Sequence, residues 1–163
     1  MRWERSGLEA EGFLGFIPFA ALPTAGVPVG AGVYVVYRDS DEPPRLLERS
    51  SGGHFKGKDP TVPVAVLHSA WVTGARVLNI GKAALGSSGR RGLFKRLNEY
   101  RRFGAGEPIA HWGGRYIWQM SDSPALLVAW RETPREDPRL VEQAYIAEFV
   151  RHYGQRPFAN LTG

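Results

Sequence analysis

The chain has 163 residues, of which 43% are hydrophobic and five are tryptophan, so it holds enough apolar material for one core and is not a disordered polymer. It carries 21 basic against 16 acidic side chains, a formal charge of +5, and no cysteine. Disulfides and thiolate metal centres are thereby excluded, and the absence of cysteine fits a reducing, cytoplasmic setting. The four histidines, His54, His68, His111 and His152, show no metal-ligand spacing, so zinc is not expected.

Residues 13–29 are apolar, but Pro18, Pro23 and Pro28 interrupt them and Glu4, Glu9 and Glu11 precede them. Neither a signal peptide nor a membrane span is expected there. Residues 1–29 read instead as an extended segment packed along a single domain covering 1–163. The first predicted strand is 30–38, β-branched and aromatic, opened by glycines and closed by the acidic, proline-containing run after Arg38. Alternation places Val33, Val35 and Tyr37 on one face and Tyr34 and Val36 on the other. Both faces are mostly apolar, as in a sheet covered on both sides. Tyr34 is then either a core tyrosine with a satisfied hydroxyl or a functional phenol.

Residues 39–74 form an insertion before the second strand. Its basic, glycine-rich part, 49–58, is either a contact for a nucleic acid backbone or a polar connection. Asp59-Pro60 and the spacing of Leu67 and Trp71 argue for a short helix, although Val62 to Val66 reads equally well as strand. The second strand is predicted at 77–80 and stops at Gly81. In the loop 83–92, Gly86, Gly89 and Gly92 lack the lysine and hydroxyl ending of a P-loop, and no dinucleotide fingerprint follows the first strand.

Leu93 and Leu97 begin an amphipathic helix on which Arg96 and Tyr100, four apart, project to one side. A strand carrying Lys82 beside a helix carrying Arg96 suits a bound phosphate, because guanidinium grips oxyanions with paired donors and lysine adds a mobile point charge. Between 90 and 102 lie six basic residues, Arg90, Arg91, Lys95, Arg96, Arg101 and Arg102, against one acid, Glu99. That run is either a polyanion contact or a solvated helix face. After a loop at 103–108, residues 116–120 and 125–130 are predicted as an antiparallel pair joined by a turn at 122–124. His111 and Arg115 stand at the entrance to the first of these as candidate phosphate or base contacts.

The last helix is predicted over 138–153, with Asp137 as cap, Pro138 at the first position, and Gly154 and Pro157 ending it. Val141, Tyr145, Ile146, Phe149 and Tyr153 form its buried stripe. Glu142, Ile146, Phe149 and Tyr153 recur at helical spacing, which puts a carboxylate on the apolar face, where it is costly unless paired or bound to a metal. Its partner is either an arginine such as Arg96 or a ligand in a neighbouring cleft.

Taken in order, these segments resemble the GIY-YIG nuclease family over roughly 30–160, closest to its restriction-endonuclease-like members. Gly32-Val33-Tyr34 matches the first motif and Asn79-Ile80-Gly81 the second, with Lys82 following. Leu93 to Leu97 matches the helix bearing the family arginine, here Arg96, with Tyr100 one turn later. Glu142 matches the metal-binding glutamate, and Pro157 to Asn160 the closing segment. The resemblance implies an α+β fold, a small and mainly antiparallel sheet flanked by helices. It implies hydrolysis of a DNA phosphodiester with one Mg²⁺ or Mn²⁺ held by Glu142. In that scheme Arg96 clamps the phosphate, Tyr34 positions water, Lys82 or Tyr34 accepts its proton, Tyr100 holds a phosphate oxygen or orients water, and Asn160 supports the site. Arg90, Arg91, His111 and Arg115 would add substrate contacts. DNA is the expected partner; a restriction enzyme cutting a palindrome usually acts through two subunits, so the resemblance leaves a homodimer open, although nothing in the sequence marks an interface. One position departs from the pattern: the motif tyrosine is replaced by Asn79, which has no proton-accepting group at neutral pH. The alternative to a nuclease is therefore a DNA-binding module of nuclease-derived fold whose cleavage is impaired or lost.

Overall fold

The protein is described here by a computed structural model covering residues 1–161. Its framework is strand β2 (Gly32–Tyr37), in which all six residues are buried. It pairs antiparallel with β3 (Val77–Ala83) on one side and β4 (Leu127–Glu132) on the other. A further strand, β1 (Leu14–Pro18), closes the far side of β4 and gives the order β1-β4-β2-β3, antiparallel throughout. The class is α+β, as expected.

The alternation along β2 sorts the core into two layers as predicted. Tyr34 and Val36 share one face with Leu78, Val128 and Trp130. That face is covered by helix α3 (Leu93–Gly104) and the 3₁₀ segments Phe19–Thr24 and Trp112–Gln119. Val33, Val35 and Tyr37 share the other with Val77, Ile80 and Ala129, beneath helices α1 (Arg5–Ala10) and α4 (Pro138–Tyr153). In α3 the residues Leu93, Leu97, Tyr100 and Gly104 recur every third or fourth position and are all buried. Burying each of its leucines contributes about 2 kcal/mol. In α4 the Asp137 side chain accepts from the Arg139 N–H at 2.9 Å, and Gly154 takes the left-handed conformation (φ 81°) that ends the helix.

Three expectations are corrected. Residues 1–29 are not an extended strap: they supply α1, β1 and the 3₁₀ turn Phe19–Thr24. Of their prolines, Pro18 ends β1, Pro23 lies within the 3₁₀ segment Phe19–Thr24, and Pro28 lies in the connection to β2. Residues 116–119 are not a strand but the end of the 3₁₀ helix Trp112–Gln119, and Met120 makes only an isolated bridge to Leu46. The hairpin predicted with 125–130 cannot form because both edges of β4 are taken, by β1 and β2. The second strand does not stop at Gly81 but runs on to Ala83. The glycine is needed there because it faces Tyr34 across the ladder, and a Cβ would fall inside the Tyr34 ring.

The insertion 39–74 contains the expected short helix, α2 (Val64–Ala70). The buried Gln119 side chain ties the insertion down, accepting from the Val62 N–H at 2.8 Å and donating to the Leu47 and Val62 carbonyls at 3.0 Å. Among the described residues no helix is long and apolar enough to cross a membrane.

Candidate functional site

Strand β3 lies at the margin of the sheet, and among the described residues no further strand covers its outer edge. An uncovered edge leaves unpaired peptide groups. Here the Asn160 side chain stands in for a neighbouring strand, accepting from the Ile80 N–H and donating to the Ile80 carbonyl, both at 2.8 Å. Asn79 reinforces the seam, its amide donating to the Ala159 carbonyl at 3.0 Å and to Asn160 Oδ1 at 3.3 Å. The Ala159 N–H completes it by donating to the Leu78 carbonyl at 2.7 Å.

Beside this seam opens a cleft of about 400 Å³, lined by residues from both layers of the core. Tyr34, Arg96, His111 and Gly114 come from the α3 side. Glu142, Arg139 and Ile146 come from α4, packed on the opposite face, and Lys82 from β3 between them. The cleft can reach both faces because it sits at the margin of the sheet and because Gly81, which lines it, has no side chain.

Glu142 is only 17% exposed, and its nearest cation is Lys82 Nζ at 3.9 Å. Burial raises its pKa above the usual carboxylate value, while Lys82 and Arg96 pull in the opposite direction. It lies on the flank of α4 rather than on the buried stripe, which is Val141, Tyr145 and Phe149; Ile146 and Tyr153 are half-buried. Arg96 is not its ion-pair partner. That guanidinium donates to the Ala110 carbonyl at 3.1 Å and stands 3.8 Å from Glu99 on its own helix, with donors left over for a ligand.

Tyr34 is buried with its hydroxyl 3.4 Å from His111 Nε2. Burial raises the pKa of the phenol, and the neighbouring Arg96 opposes this. His111 is 2% exposed and lies flat against Tyr100, with ring centroids 3.7 Å apart and planes 18° from parallel. Burial, and secondarily the Arg96 charge, push its pKa well below the ordinary histidine value, so the imidazole is neutral at physiological pH.

The other expected residues divide clearly. Tyr34, Lys82, Arg96 and Glu142 share the cleft, together with Asn79, Asn160 and His111. Tyr100 does not line it: the side chain is fully buried, and its hydroxyl donates to the Gly114 carbonyl at 3.1 Å. It therefore supports His111 from behind instead of meeting a ligand. Arg90 and Arg91 stand on the exposed glycine loop, and Arg91 is paired with Glu99 at 2.8 Å. Arg115 lies over the Trp112 and Tyr116 rings at 4.8 and 5.6 Å, outside the cleft. Sequence reasoning missed Arg139 and Gln143. Arg139 precedes Glu142 by three residues, a spacing that puts the two on one helix face.

Among the described residues no three acidic, histidine or cysteine side chains cluster as a metal cage. The donor set nonetheless fits a hard cation of the Mg²⁺ type, which binds through one or two carboxylates and completes its shell with waters and phosphate oxygens. Glu142 offers one such carboxylate at the wall of an open cleft. Comparison with family models, curated proteins and solved structures finds no match to this chain.

Proposed function

We propose that the chain is a divalent-metal-dependent endonuclease that hydrolyses DNA phosphodiester bonds, in keeping with the resemblance of its motifs to the GIY-YIG nucleases. The observation that carries this reading is convergence: Tyr34, Lys82, Arg96 and Glu142 lie on four different elements and line one cleft. Three cations there, Lys82, Arg96 and Arg139, face a single carboxylate, so the cleft favours a phosphodiester.

In this mechanism Arg96 binds the non-bridging phosphate oxygens with its free donors and holds them as negative charge grows at phosphorus. Lys82 supplies a second positive charge across the cleft from Arg96. Glu142 would hold the cation, which would supply Lewis-acid stabilisation of the charge that builds on the phosphate. Tyr34 aims its hydroxyl at the entering water. Asn160 and Asn79 keep β3 and the closing segment in register, which fixes Lys82 relative to Tyr34.

The second reading, a DNA-binding module without cleavage, is favoured by one observation. Asn79 spends its amide on Ala159 and Asn160 and thus works as a structural clasp rather than as a catalytic group. Incubation with supercoiled plasmid and Mg²⁺ or Mn²⁺ separates the two. The nuclease reading expects nicked or linear product from the wild type, none from Glu142→Ala, and a rate about 10²-fold lower or worse from Arg96→Ala. Equal cleavage by Glu142→Ala would remove the mechanism; DNA binding without any cleavage would leave the binding module.

A further inference from the structure

Tyr34 cannot serve as a proton acceptor while it holds its own proton, and burial strengthens that hold. Its oxygen has one neighbour that only donates, the Arg96 guanidinium. The hydrogen-bond partner found for the hydroxyl among the described residues is His111 Nε2, at 3.4 Å. That length is typical of a catalytic contact before substrate closes on it. From this geometry, and resting on the nuclease reading, we infer that His111 is the terminal base of a two-step relay in which Tyr34 passes the proton of the attacking water to the imidazole.

The step balances. The water oxygen forms its bond to phosphorus as its proton moves to the Tyr34 oxygen, and the Tyr34 hydroxyl proton moves to His111 Nε2. The bond from phosphorus to the leaving oxygen breaks, the electron pair stays on that oxygen, and solvent protonates it. The imidazolium then returns its proton through Tyr34 to water. No oxidant or further reactant is needed.

The surroundings of His111 fit this role better than that of a packing residue. The groups facing it are Tyr34 from β2 and Arg96 and Tyr100 from α3. Stacking on Tyr100 fixes the ring plane, and the Arg96 bond to the Ala110 carbonyl anchors the residue before it. His111 Nδ1 is buried and has no hydrogen-bond partner among the described residues, so Nε2 alone connects the imidazole to its surroundings. Arg96 also couples the relay to substrate. With an empty cleft its charge opposes an imidazolium, and a phosphate bound to Arg96 offsets that charge. Burial, the larger effect, still disfavours the imidazolium, so the proton rests on His111 only transiently, and a bound diester removes the Arg96 part of that penalty.

Two measurements test the relay. In nitrogen-15 spectra of the wild type, His111 should show the neutral tautomer protonated at Nδ1, with an Nε2 resonance that moves in Tyr34→Phe. A tautomer protonated at Nε2 overturns the relay without recourse to any His111 variant. In the plasmid assay His111→Phe, which keeps the stack on Tyr100, should lower kcat by about 10²-fold or more while DNA affinity stays within about twofold. Added imidazole should partly restore His111→Ala. Full activity in His111→Phe overturns the relay alone, as does a loss of activity matched by equal losses of DNA affinity and thermal midpoint. Absence of metal-dependent cleavage by the wild type, indistinguishable from Glu142→Ala, overturns the nuclease reading and the relay with it.

Discussion

Glu142 shows at the scale of one residue how a site strains against its own fold. Its folded pKa is raised by burial, so the fold disfavours the ionised form. The resulting penalty is present above the folded pKa and is relieved as pH falls through it. Glu142→Gln removes that charge and keeps the shape, and should raise the thermal midpoint at neutral pH by up to about 3 °C while abolishing metal-dependent cleavage. A lower midpoint would mean that Lys82, 3.9 Å away, more than offsets the burial. The same shift bears on metal binding. Protons compete with a cation for this carboxylate, so the apparent metal affinity should weaken as pH falls toward the raised folded pKa, and a pH-independent affinity would count against Glu142 as the ligand. Asn79 does the opposite: its amide is committed to the closing segment as a clasp.

At the scale of elements, the edge of β3 decides whether the cleft exists. The two Asn160 bonds to Ile80 imitate a strand partner. Asn160→Ala leaves both Ile80 backbone groups without that partner and should cost about 1–3 kcal/mol in chemical denaturation. Amide exchange at Ile80 and Ala159 should quicken more than exchange in β2; uniform exchange changes would show that the seam is not a local unit. Gly81 is the complementary case. Alanine there has no room beside the Tyr34 ring. Gly81→Ala should therefore cost about 1–3 kcal/mol by overpacking, and should displace the Tyr34 hydroxyl from His111. Loss of the Tyr34-dependent shift of the His111 nitrogen signal would report that displacement.

For the whole molecule, net charge is a poor guide to the electrostatics. Part of the basic run 90–102 is answered within the protein: Arg91 meets Glu99, Arg102 meets Glu107, and Arg101 is held by the neutral Asn98. One member of the run, Arg96, lines the cleft, where it joins Lys82 and Arg139 around a single carboxylate. On the proposed function, the logarithm of DNA affinity should fall against the logarithm of salt concentration with a slope of about −3, as for three neutralised phosphates. Arg139→Ala should reduce that slope by about one, whereas Arg91→Ala should leave it nearly unchanged. A wild-type slope near −6 would restore the whole basic run as the DNA contact.

Local pattern alone determined a good deal. The two-sided burial of β2, the α3 stripe from Leu93 and the Asp137-capped helix ending at Gly154 follow from periodicity and from capping chemistry, which act over a few residues and need no partner; the α+β class came from the resemblance of the motifs. What waited for the tertiary structure depended on competition or on distance. Whether 116–120 could pair with β4 depended on which segments hold its edges, and β1, from the other end of the chain, occupies one and β2 the other. Gly81 looked like a stop because its ring partner, Tyr34, is 47 positions away in sequence and opposite it in the sheet. Tyr100 and Arg115 looked available because spacing cannot tell a side chain turned inward or laid over an indole from one turned to a cleft. The meeting of Tyr34 with His111, and of Lys82 with Glu142, belongs to packing across the margin of a sheet, where groups far apart in sequence are brought within a few ångströms.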